Sequence, residues 1–89
     1  MGETKGWYVY MVRCADLSLY TGVTTDVERR VKEHNGASKS ARYTRARQPV
    51  VLVYQETASS RSDACKREAH IKTFSRKQKL ALQEKASLA

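Results

Sequence analysis

The chain has 89 residues, of which 17 are Lys or Arg and 9 are Asp or Glu, giving a formal net charge of +8. This length suits one compact domain over residues 1–89 and leaves no room for a second recognition domain. The excess of positive charge favours a polyanionic partner, with nucleic acid the first candidate and an anionic membrane the second. No apolar run approaches the roughly 18 residues that span a membrane, and the first residues lack a hydrophobic signal core. We therefore expect a cytoplasmic protein without a membrane segment.

A β-hairpin is expected at the start of the chain. Residues 7–14, W-Y-V-Y-M-V-R-C, are rich in aromatic and β-branched side chains, and residues 19–24, L-Y-T-G-V-T, follow the turn sequence A-D-L-S. The two-residue period of a strand puts Tyr8 and Tyr10 on one face and the intervening apolar side chains on the other. Tyrosines in this arrangement serve as packing residues or as components of a site.

The register of this hairpin decides whether a second tyrosine joins that face. A pair between Cys14 and Tyr20 would place Tyr20 on the same side as Tyr10. A strict two-residue loop at Asp16-Leu17 would place the two tyrosines on opposite sides. The sequence leaves both arrangements open.

A first helix is expected to begin at Thr25, because Glu28 three residues later completes a capping box. It is expected to end at Asn35-Gly36, where glycine can adopt the left-handed conformation of a helix cap. At 100° per residue, Val27 and Val31 define its apolar stripe, and the same geometry separates the two adjacent arginines that follow.

Of those two arginines, Arg30 lies beside the apolar stripe together with His34, whereas Arg29 points almost opposite, into solvent. An arginine at such a margin can run its stem along apolar surface and present its planar donors to a phosphate or carboxylate. The alternative is that Arg30 only extends to water and His34 is a hydrogen-bonded boundary residue.

The remaining elements complete a small α+β fold. A basic segment at residues 37–49 is expected to be a loop, followed by a strand at 50–55 and a helix starting at Ser60 or Ser62. Ser75 with Gln78 three residues on indicates the start of a last helix. The order β-β-α-β-α-α predicts a three-stranded antiparallel sheet flanked by helices.

The helix after the third strand carries a carboxylate in its apolar stripe. Ala64 and Ile71 are seven residues apart, and Glu68 lies between them on the same face. Glutamate is rarely buried without a partner, so this position requires a cation such as Arg30, a divalent metal ion or a rim of water. A purely structural ion pair would satisfy the same requirement.

Together these residues resemble the GIY-YIG nuclease superfamily, most closely its small stand-alone branch. The resemblance covers Trp7 to Leu82, about residues 7–82, which we take as the core of the domain. The two signature tripeptides stand as Y-V-Y at residues 8–10 and Y-T-G at residues 20–22. Arg30 follows the glycine by eight residues, in the place of the family's catalytic arginine, and Glu68 matches its metal-binding glutamate.

The chain departs from the family pattern at four points. Tyr8 replaces the first glycine of the signature, and Thr21 replaces its isoleucine. Leu17 stands at a turn position that would suit a glycine. No asparagine follows Glu68, although some relatives place one near the metal site. None of the three replacements removes a chemical group, and the missing asparagine leaves one supporting contact unassigned.

The resemblance implies metal-assisted hydrolysis of phosphodiester bonds. Glu68 would hold one Mg²⁺ or Mn²⁺, an ion that keeps several waters and needs few protein oxygens. Tyr10 would deprotonate or orient the attacking water, and Tyr20 would orient water or phosphate. Arg30 would stabilise charge on the phosphoryl oxygens, while His34 would contact the phosphate or assist proton transfer.

The run R-R-V-K-E-H-N-G, the basic segment and R-Q-P also resemble structure-selective nucleases of DNA repair. This resemblance implies cutting of branched DNA, with DNA favoured over RNA. Because the domain lacks a separate sequence reader, we expect recognition of single strands, branches or ends instead of a long duplex sequence. A monomer is favoured, and the sequence leaves the oligomeric state and a protein partner open. The candidate nucleic-acid contacts are four cations that track the phosphate backbone and one tyrosine that stacks on a base: Lys39, Arg42, Arg45, Arg47 and Tyr43. The alternatives are a solvated basic surface, a noncatalytic nucleic-acid-binding module and a protein-interaction domain.

Overall fold

The computed structural model describes residues 6–36 and 39–87, with side chains described through residue 85. Within these residues the elements in chain order are β1 (Trp7–Arg13), β2 (Leu19–Thr24), α1 (Val27–His34), α2 (Arg42–Arg45), β3 (Val51–Ala58), α3 (Arg61–Lys72) and α4 (Arg76–Ser87). The predicted α+β class and element order are confirmed. The addition is α2, a single turn of helix inside the segment expected to be a loop.

Two of the expectations concern residues outside the described ranges. The N-terminal residues judged to lack a signal core include residues 1–5, and the basic segment includes residues 37 and 38. In the described part of the chain, no helix has the length and apolar character needed to cross a membrane.

The sheet is antiparallel in the order β2-β1-β3, so β1 is its central strand. The alternating side chains of β1 enter two separate apolar clusters. Tyr10 and Val12 pack with Val27 of α1 on one face, whereas Val9 packs with Ala64 and Ile71 of α3 on the other. The predicted division of β1 into two faces is therefore confirmed, and α1 and α3 lie on opposite sides of the sheet.

The hairpin register brings two tyrosines to one face. Tyr20 pairs with Val12, and Gly22 pairs with Tyr10. Tyr20 and Tyr10 therefore lie on the same side of the sheet, although the partner of Tyr20 is not the Cys14 considered from sequence. The difference arises because Cys14 belongs to the turn, where its N–H donates to the Ser18 carbonyl at 2.8 Å.

Leu17 occupies this turn with a φ of 71°, in the left-handed region that disfavours a residue with a Cβ atom. Its side chain is exposed, and its N–H donates to the Cys14 carbonyl at 2.8 Å. We expect Leu17→Gly to raise the free energy of unfolding by about 0.5–1 kcal/mol, because relief of strain exceeds the added freedom of the unfolded chain. Thermal unfolding followed by circular dichroism should show a midpoint a few degrees higher.

Leu17→Ala is the matched control, since it removes the exposed side chain but keeps the Cβ atom and its strain. We expect that variant to unfold within about 0.5 kcal/mol of wild type. An equal gain from both substitutions would assign the effect to the exposed side chain and contradict the backbone explanation.

The start of α1 differs from the prediction by one residue. Asp26, not Thr25, is the N-cap, and its Oδ1 accepts the N–H of Arg29 at 3.1 Å. The expected capping box with Glu28 is wrong, since the third residue after the true cap is an arginine. A carboxylate satisfies the first exposed N–H groups and also interacts favourably with the positive end of the helix dipole.

The end of α1 is held by side chains instead of by a left-handed glycine. None of the described glycines has a positive φ, so the cap predicted at Gly36 is wrong. Asn35 ends the helix, and its amide exchanges two hydrogen bonds with the backbone of Val50, at 3.1 and 2.7 Å. This tertiary anchor fixes the last turn of α1 against the residues that lead into β3.

The third strand is longer than residues 50–55, because β3 continues to Ala58 along β1. Glu56 lies in this extension opposite Val9. Its carboxylate accepts from Arg67 Nε at 2.8 Å and from the Tyr54 hydroxyl, so a charged side chain is accommodated on a packed face. The pattern of apolar residues could not have indicated this pairing.

The later helices begin as predicted. Ser60 is the N-cap of α3, and its Oγ accepts the N–H of Asp63 at 3.1 Å. Ser75 and Gln78 form the expected reciprocal box at the start of α4, with distances of 2.9 and 3.2 Å. Local capping chemistry thus determines both starts.

Candidate active site

Tyr10 is at the centre of the candidate site. It lies in the central strand, is 1% exposed, and its side chain crosses the neighbouring strand at Gly22. A Cβ atom at Gly22 would lie 2.6 Å from the Tyr10 hydroxyl oxygen and 2.8 Å from Cζ of its ring. The glycine of Y-T-G is therefore required by the position of the tyrosine of Y-V-Y.

We expect Gly22→Ala to displace the Tyr10 ring and to lower the free energy of unfolding by about 1–3 kcal/mol, the usual cost of overpacking a buried site. The clash involves ring carbon as well as hydroxyl oxygen, so combining it with Tyr10→Phe should leave most of the loss in place. Denaturant unfolding of the single and double variants measures this. A double variant as stable as Tyr10→Phe alone would contradict the steric assignment.

His34, the last residue of α1, lies against Tyr10. Its side chain is fully buried, and its Nε2 is 2.6 Å from the Tyr10 hydroxyl oxygen. The other ring nitrogen, Nδ1, is 2.8 Å from the hydroxyl oxygen of Thr44 in α2. The ring of Tyr20 contacts the imidazole edge-on at 5.3 Å. The helix residue predicted beside the apolar stripe is thus part of a buried polar contact.

Burial determines the protonation of both partners. Desolvation, together with the Arg30 cation, lowers the pKa of His34 to about 4, while Glu33 opposes this shift. Desolvation raises the pKa of Tyr10 to about 12, with Arg30 opposing and Tyr20 and Glu68 adding to the rise. At neutral pH the contact therefore joins a neutral phenol and a neutral imidazole.

Arg30 is directed to this site by two fixed contacts. Its Nη1 donates to Glu33 Oε1 at 3.0 Å and to the Lys39 carbonyl at 2.8 Å. Its side chain is 25% exposed, against 55% for Arg29, so the predicted separation of the two arginines is confirmed. Arg30 also lowers the pKa of Tyr10, opposing the larger effect of burial.

Glu68 lies on α3, on the face that also carries the buried Ala64 and Ile71. Its carboxylate is partly buried and binds Lys72 Nζ at 3.2 Å. The pair with Arg30 considered from sequence does not form, and Arg30 pairs instead with Glu33 on its own helix. The negative charge of Glu68, although it lies on α3, contributes to the raised pKa of Tyr10.

The described residues fit one kind of metal site. They contain no group of three or more His, Cys, Asp or Glu side chains that could hold an ion. A single partly buried carboxylate suits Mg²⁺ or Mn²⁺ that retains waters and takes its other ligands from a bound phosphate. Glu68 fits such a hydrated ion, and these residues do not fit a cage built from protein ligands alone.

The cations of the basic segment fall into two groups. Lys39, Arg42 and Arg45 have exposed side chains. Arg47 instead donates to Asp16 Oδ2 at 3.0 Å and to the Tyr43 carbonyl at 2.9 Å. Three of the four predicted phosphate contacts therefore face solvent, and the fourth tethers the segment to the β1–β2 turn.

Tyr43, the predicted base-stacking residue, already has two neighbours at its ring. The Tyr20 ring stacks on it at 5.7 Å with an interplanar angle of 24°, and the Arg47 guanidinium lies 3.9 Å from its centre. A base that stacks on Tyr43 would compete with these groups for space beside the ring. The predicted contact with a base stays a prediction.

Sequence reasoning missed three residues of this site. It did not find Thr44, it did not give Gly22 its steric role, and it did not find Gln48, whose amide donates at 2.7 Å to the carbonyls of both His34 and Gly36. The contacts of Thr44 and Gln48 join the basic segment to the end of α1 over ten or more residues. No local pattern indicates such pairs.

Comparisons with known proteins identify relatives that match most of the chain. Residues 6–81 match the model of the GIY-YIG catalytic domain. The chain is 62% identical over 77 residues to the UPF0213 protein SH2523 of Staphylococcus haemolyticus, covering 86% of this chain and 93% of that protein. It is 57% identical over 80 residues to the UPF0213 protein DP2720 of Desulfotalea psychrophila, covering 90% and 73%.

Two solved structures have the same architecture. The solution structure of EF2693 from E. faecalis has a TM-score of 0.64 at 40% identity, covering 100% of this chain and 94% of that one. The solution structure of the UPF0213 protein BH0048 from Bacillus halodurans has a TM-score of 0.54 at 44% identity, covering 86% and 81%. The chain belongs to the GIY-YIG family, whose catalytic domain is that of a nuclease acting on nucleic acid. The names of these relatives state no substrate.

Proposed function

We propose that this protein is a metal-dependent endonuclease that hydrolyses phosphodiester bonds of single-stranded or branched DNA. The observation that carries the proposal is the 2.6 Å contact between the Tyr10 hydroxyl and Nε2 of the buried His34. The charges of Arg30 and Glu68 also act on the pKa of Tyr10, the first lowering it and the second raising it. These side chains come from one strand and two helices on opposite sides of the sheet. A buried phenol that contacts an imidazole, with a guanidinium and a carboxylate acting on its pKa, is the kind of arrangement found at active sites.

Tyr10 and His34 act together on the attacking water. The water oxygen forms a bond to phosphorus, its proton passes to the Tyr10 oxygen, and the tyrosine proton passes to His34 Nε2. The bond from phosphorus to the leaving oxygen breaks in the same displacement; that oxygen departs with the bonding electron pair and is protonated by solvent water. Because the pKa of Tyr10 is raised and that of His34 is lowered, the proton rests on Tyr10 and moves only as water attacks.

Arg30 and Tyr20 bind and orient the phosphoryl group. Glu33 and the Lys39 carbonyl hold the Arg30 guanidinium in place, so its donors are arranged before charge develops on the phosphoryl oxygens. Tyr20 lies at the edge of the His34 ring and positions water or phosphate beside it. Glu68 would hold one Mg²⁺ or Mn²⁺, which supplies Lewis-acid stabilisation of the phosphoryl oxygens when bound.

The preference for DNA with single-stranded or branched regions rests on the size of the domain and the placement of its cations. Lys39, Arg42 and Arg45 are exposed on the segment that also supplies Thr44 to the site. Contacts of this kind bind phosphates without reading sequence. One site on a monomer cuts one strand at a time, consistent with a role in DNA repair or processing in the cytoplasm.

The experiment is incubation with end-labelled single-stranded, duplex and branched DNA and with RNA, in Mg²⁺, Mn²⁺ or EDTA. Glu68→Gln serves as the matched protein without the carboxylate. We expect the wild-type protein to form product from single-stranded or branched DNA only when the metal ion is present. We expect no product with the variant. Strict sequence-specific double-strand cleavage by a monomer would contradict the proposed substrate.

The second candidate is a noncatalytic nucleic-acid-binding module on the same scaffold. The observation that favours it is the ion pair of Glu68 with Lys72 at 3.2 Å, which gives the carboxylate a structural partner. This function predicts binding that weakens steeply with added salt and no metal-dependent product. A protein-interaction domain, by contrast, would show no such salt dependence with a polyanion.

A further inference from the structure

The two nitrogens of His34 have different roles in the proposed reaction. A neutral imidazole carries its proton on one nitrogen, and only the other can accept a hydrogen bond. Nε2 lies 2.6 Å from the Tyr10 hydroxyl oxygen, so it can accept the tyrosine proton only while the ring proton is on Nδ1. The competence of the pair therefore depends on what Nδ1 contacts.

Nδ1 contacts Thr44. The Thr44 side chain is fully buried, and its oxygen lies 2.8 Å from Nδ1. The threonine hydroxyl donates to the Ala41 carbonyl at 3.2 Å, one turn earlier in the chain. A hydroxyl whose single proton points to Ala41 presents lone pairs to its other neighbour, so the Nδ1–H group donates to Thr44.

We propose that Thr44 is a positioning residue that holds His34 in the Nδ1–H tautomer, leaving Nε2 to accept the proton of Tyr10. The consequence for cleavage rests on the proposed nuclease function, but the tautomer itself does not. In the opposite arrangement the threonine proton would point to Nδ1 and an Nε2–H group would face Tyr10. That form cannot accept the tyrosine proton. A third group that sets the tautomer of a catalytic histidine is a general requirement of such pairs.

Imidazole ¹⁵N chemical shifts measure the tautomer directly. The chain has two histidines, His34 and the exposed His70, so the spectrum of the intact protein at neutral pH is readily assigned and contains its own reference. We expect a protonated Nδ1 and an unprotonated Nε2 for His34. A wild-type spectrum with the proton on Nε2 would overturn the proposal without any variant.

Variants test the role of the threonine. Thr44→Val keeps the shape but removes the acceptor, and we expect the Nδ1–H population of His34 to fall roughly 10- to 100-fold, so that Nε2–H becomes the predominant form. Cleavage of branched DNA should then fall roughly 10- to 100-fold, and Thr44→Ser should restore both the Nδ1–H form and most of the rate. Thr57→Val, the same change at an exposed position on β3, is the matched control and should alter neither.

The two proposals fail in different ways. An unchanged His34 spectrum in folded Thr44→Val, or unchanged cleavage alongside a changed spectrum, would end the positioning role. If Thr44→Val does not fold, Thr44→Ser must still show the wild-type tautomer, and loss of that form would also overturn it. A wild-type protein that has the Nδ1–H form but cleaves none of the polymers would end the nuclease proposal and leave tautomer control supported.

Discussion

The Glu68→Gln protein should cleave branched DNA roughly a thousandfold more slowly than wild type at saturating Mg²⁺. Gln keeps the size of the side chain but removes the only charge that the site offers to a hydrated cation from α3. Because an i,i+4 ion pair of this kind contributes only about 0.3–0.5 kcal/mol, loss of the pair with Lys72 should leave the fold intact. Initial rates with end-labelled branched DNA, together with circular dichroism, provide the measurement.

Two further variants separate metal binding from a general loss of charge. Glu84→Gln makes the same chemical change on the exposed face of α4 and should leave the rate within about twofold of wild type. Lys72→Ala removes the cation that competes for Glu68, so half-maximal cleavage should require less Mg²⁺. Full cleavage by folded Glu68→Gln would rule out Glu68 as the metal ligand.

The Tyr10→Phe protein should cleave about 10²- to 10⁴-fold more slowly, the usual range for loss of an acid–base group. Only the hydroxyl is removed, so the ring still fills its place above Gly22. His34 Nε2 loses its hydrogen-bond partner, and an unsatisfied buried acceptor should cost about 1–3 kcal/mol of stability. Single-turnover cleavage and guanidinium unfolding of the same preparation measure both effects.

Tyr8→Phe is the control, because Tyr8 lies two residues earlier on the same face of β1 and packs against the same cluster. It should retain cleavage within about threefold. Equal rates for Tyr8→Phe and Tyr10→Phe would show that the hydroxyl of Tyr10 has no part in proton transfer.

The cleavage rate of the wild-type protein should also fall as the pH approaches about 4. His34 becomes protonated there, so its Nε2 can no longer accept the tyrosine proton.

Local chemistry accounts for the elements that were predicted correctly. The apolar alternation around Tyr10 and the serine caps at Ser60 and Ser75 depend on residues within one strand or one helical turn. The placement of Arg30 beside the buried stripe follows from helix geometry and two valines. These features need no information about distant parts of the chain.

The ends of α1 show where local chemistry is insufficient. Asp26 was a better cap than Thr25 because its carboxylate also interacts with the helix dipole. At the other end, Asn35 and Gln48 satisfy backbone groups through contacts with distant segments, which removes the need for a left-handed glycine. A capping signal in the sequence does not tell whether side chains from distant segments satisfy the same backbone groups instead.

The sequence alone therefore determined the fold class and, through the two tripeptides, Arg30 and Glu68, the family resemblance. Those inferences rest on periodicity and on the spacing of residues along one chain. Only the tertiary structure decided that the Tyr10 hydroxyl lies against Nε2 of a buried His34, that Gly22 must lack a Cβ atom, and that Thr44 contacts Nδ1. Each of those contacts depends on the register of β1 with β2 or on the docking of the basic segment against α1. Packing between distant residues sets both the register and the docking, so no local pattern of side chains predicts either of them.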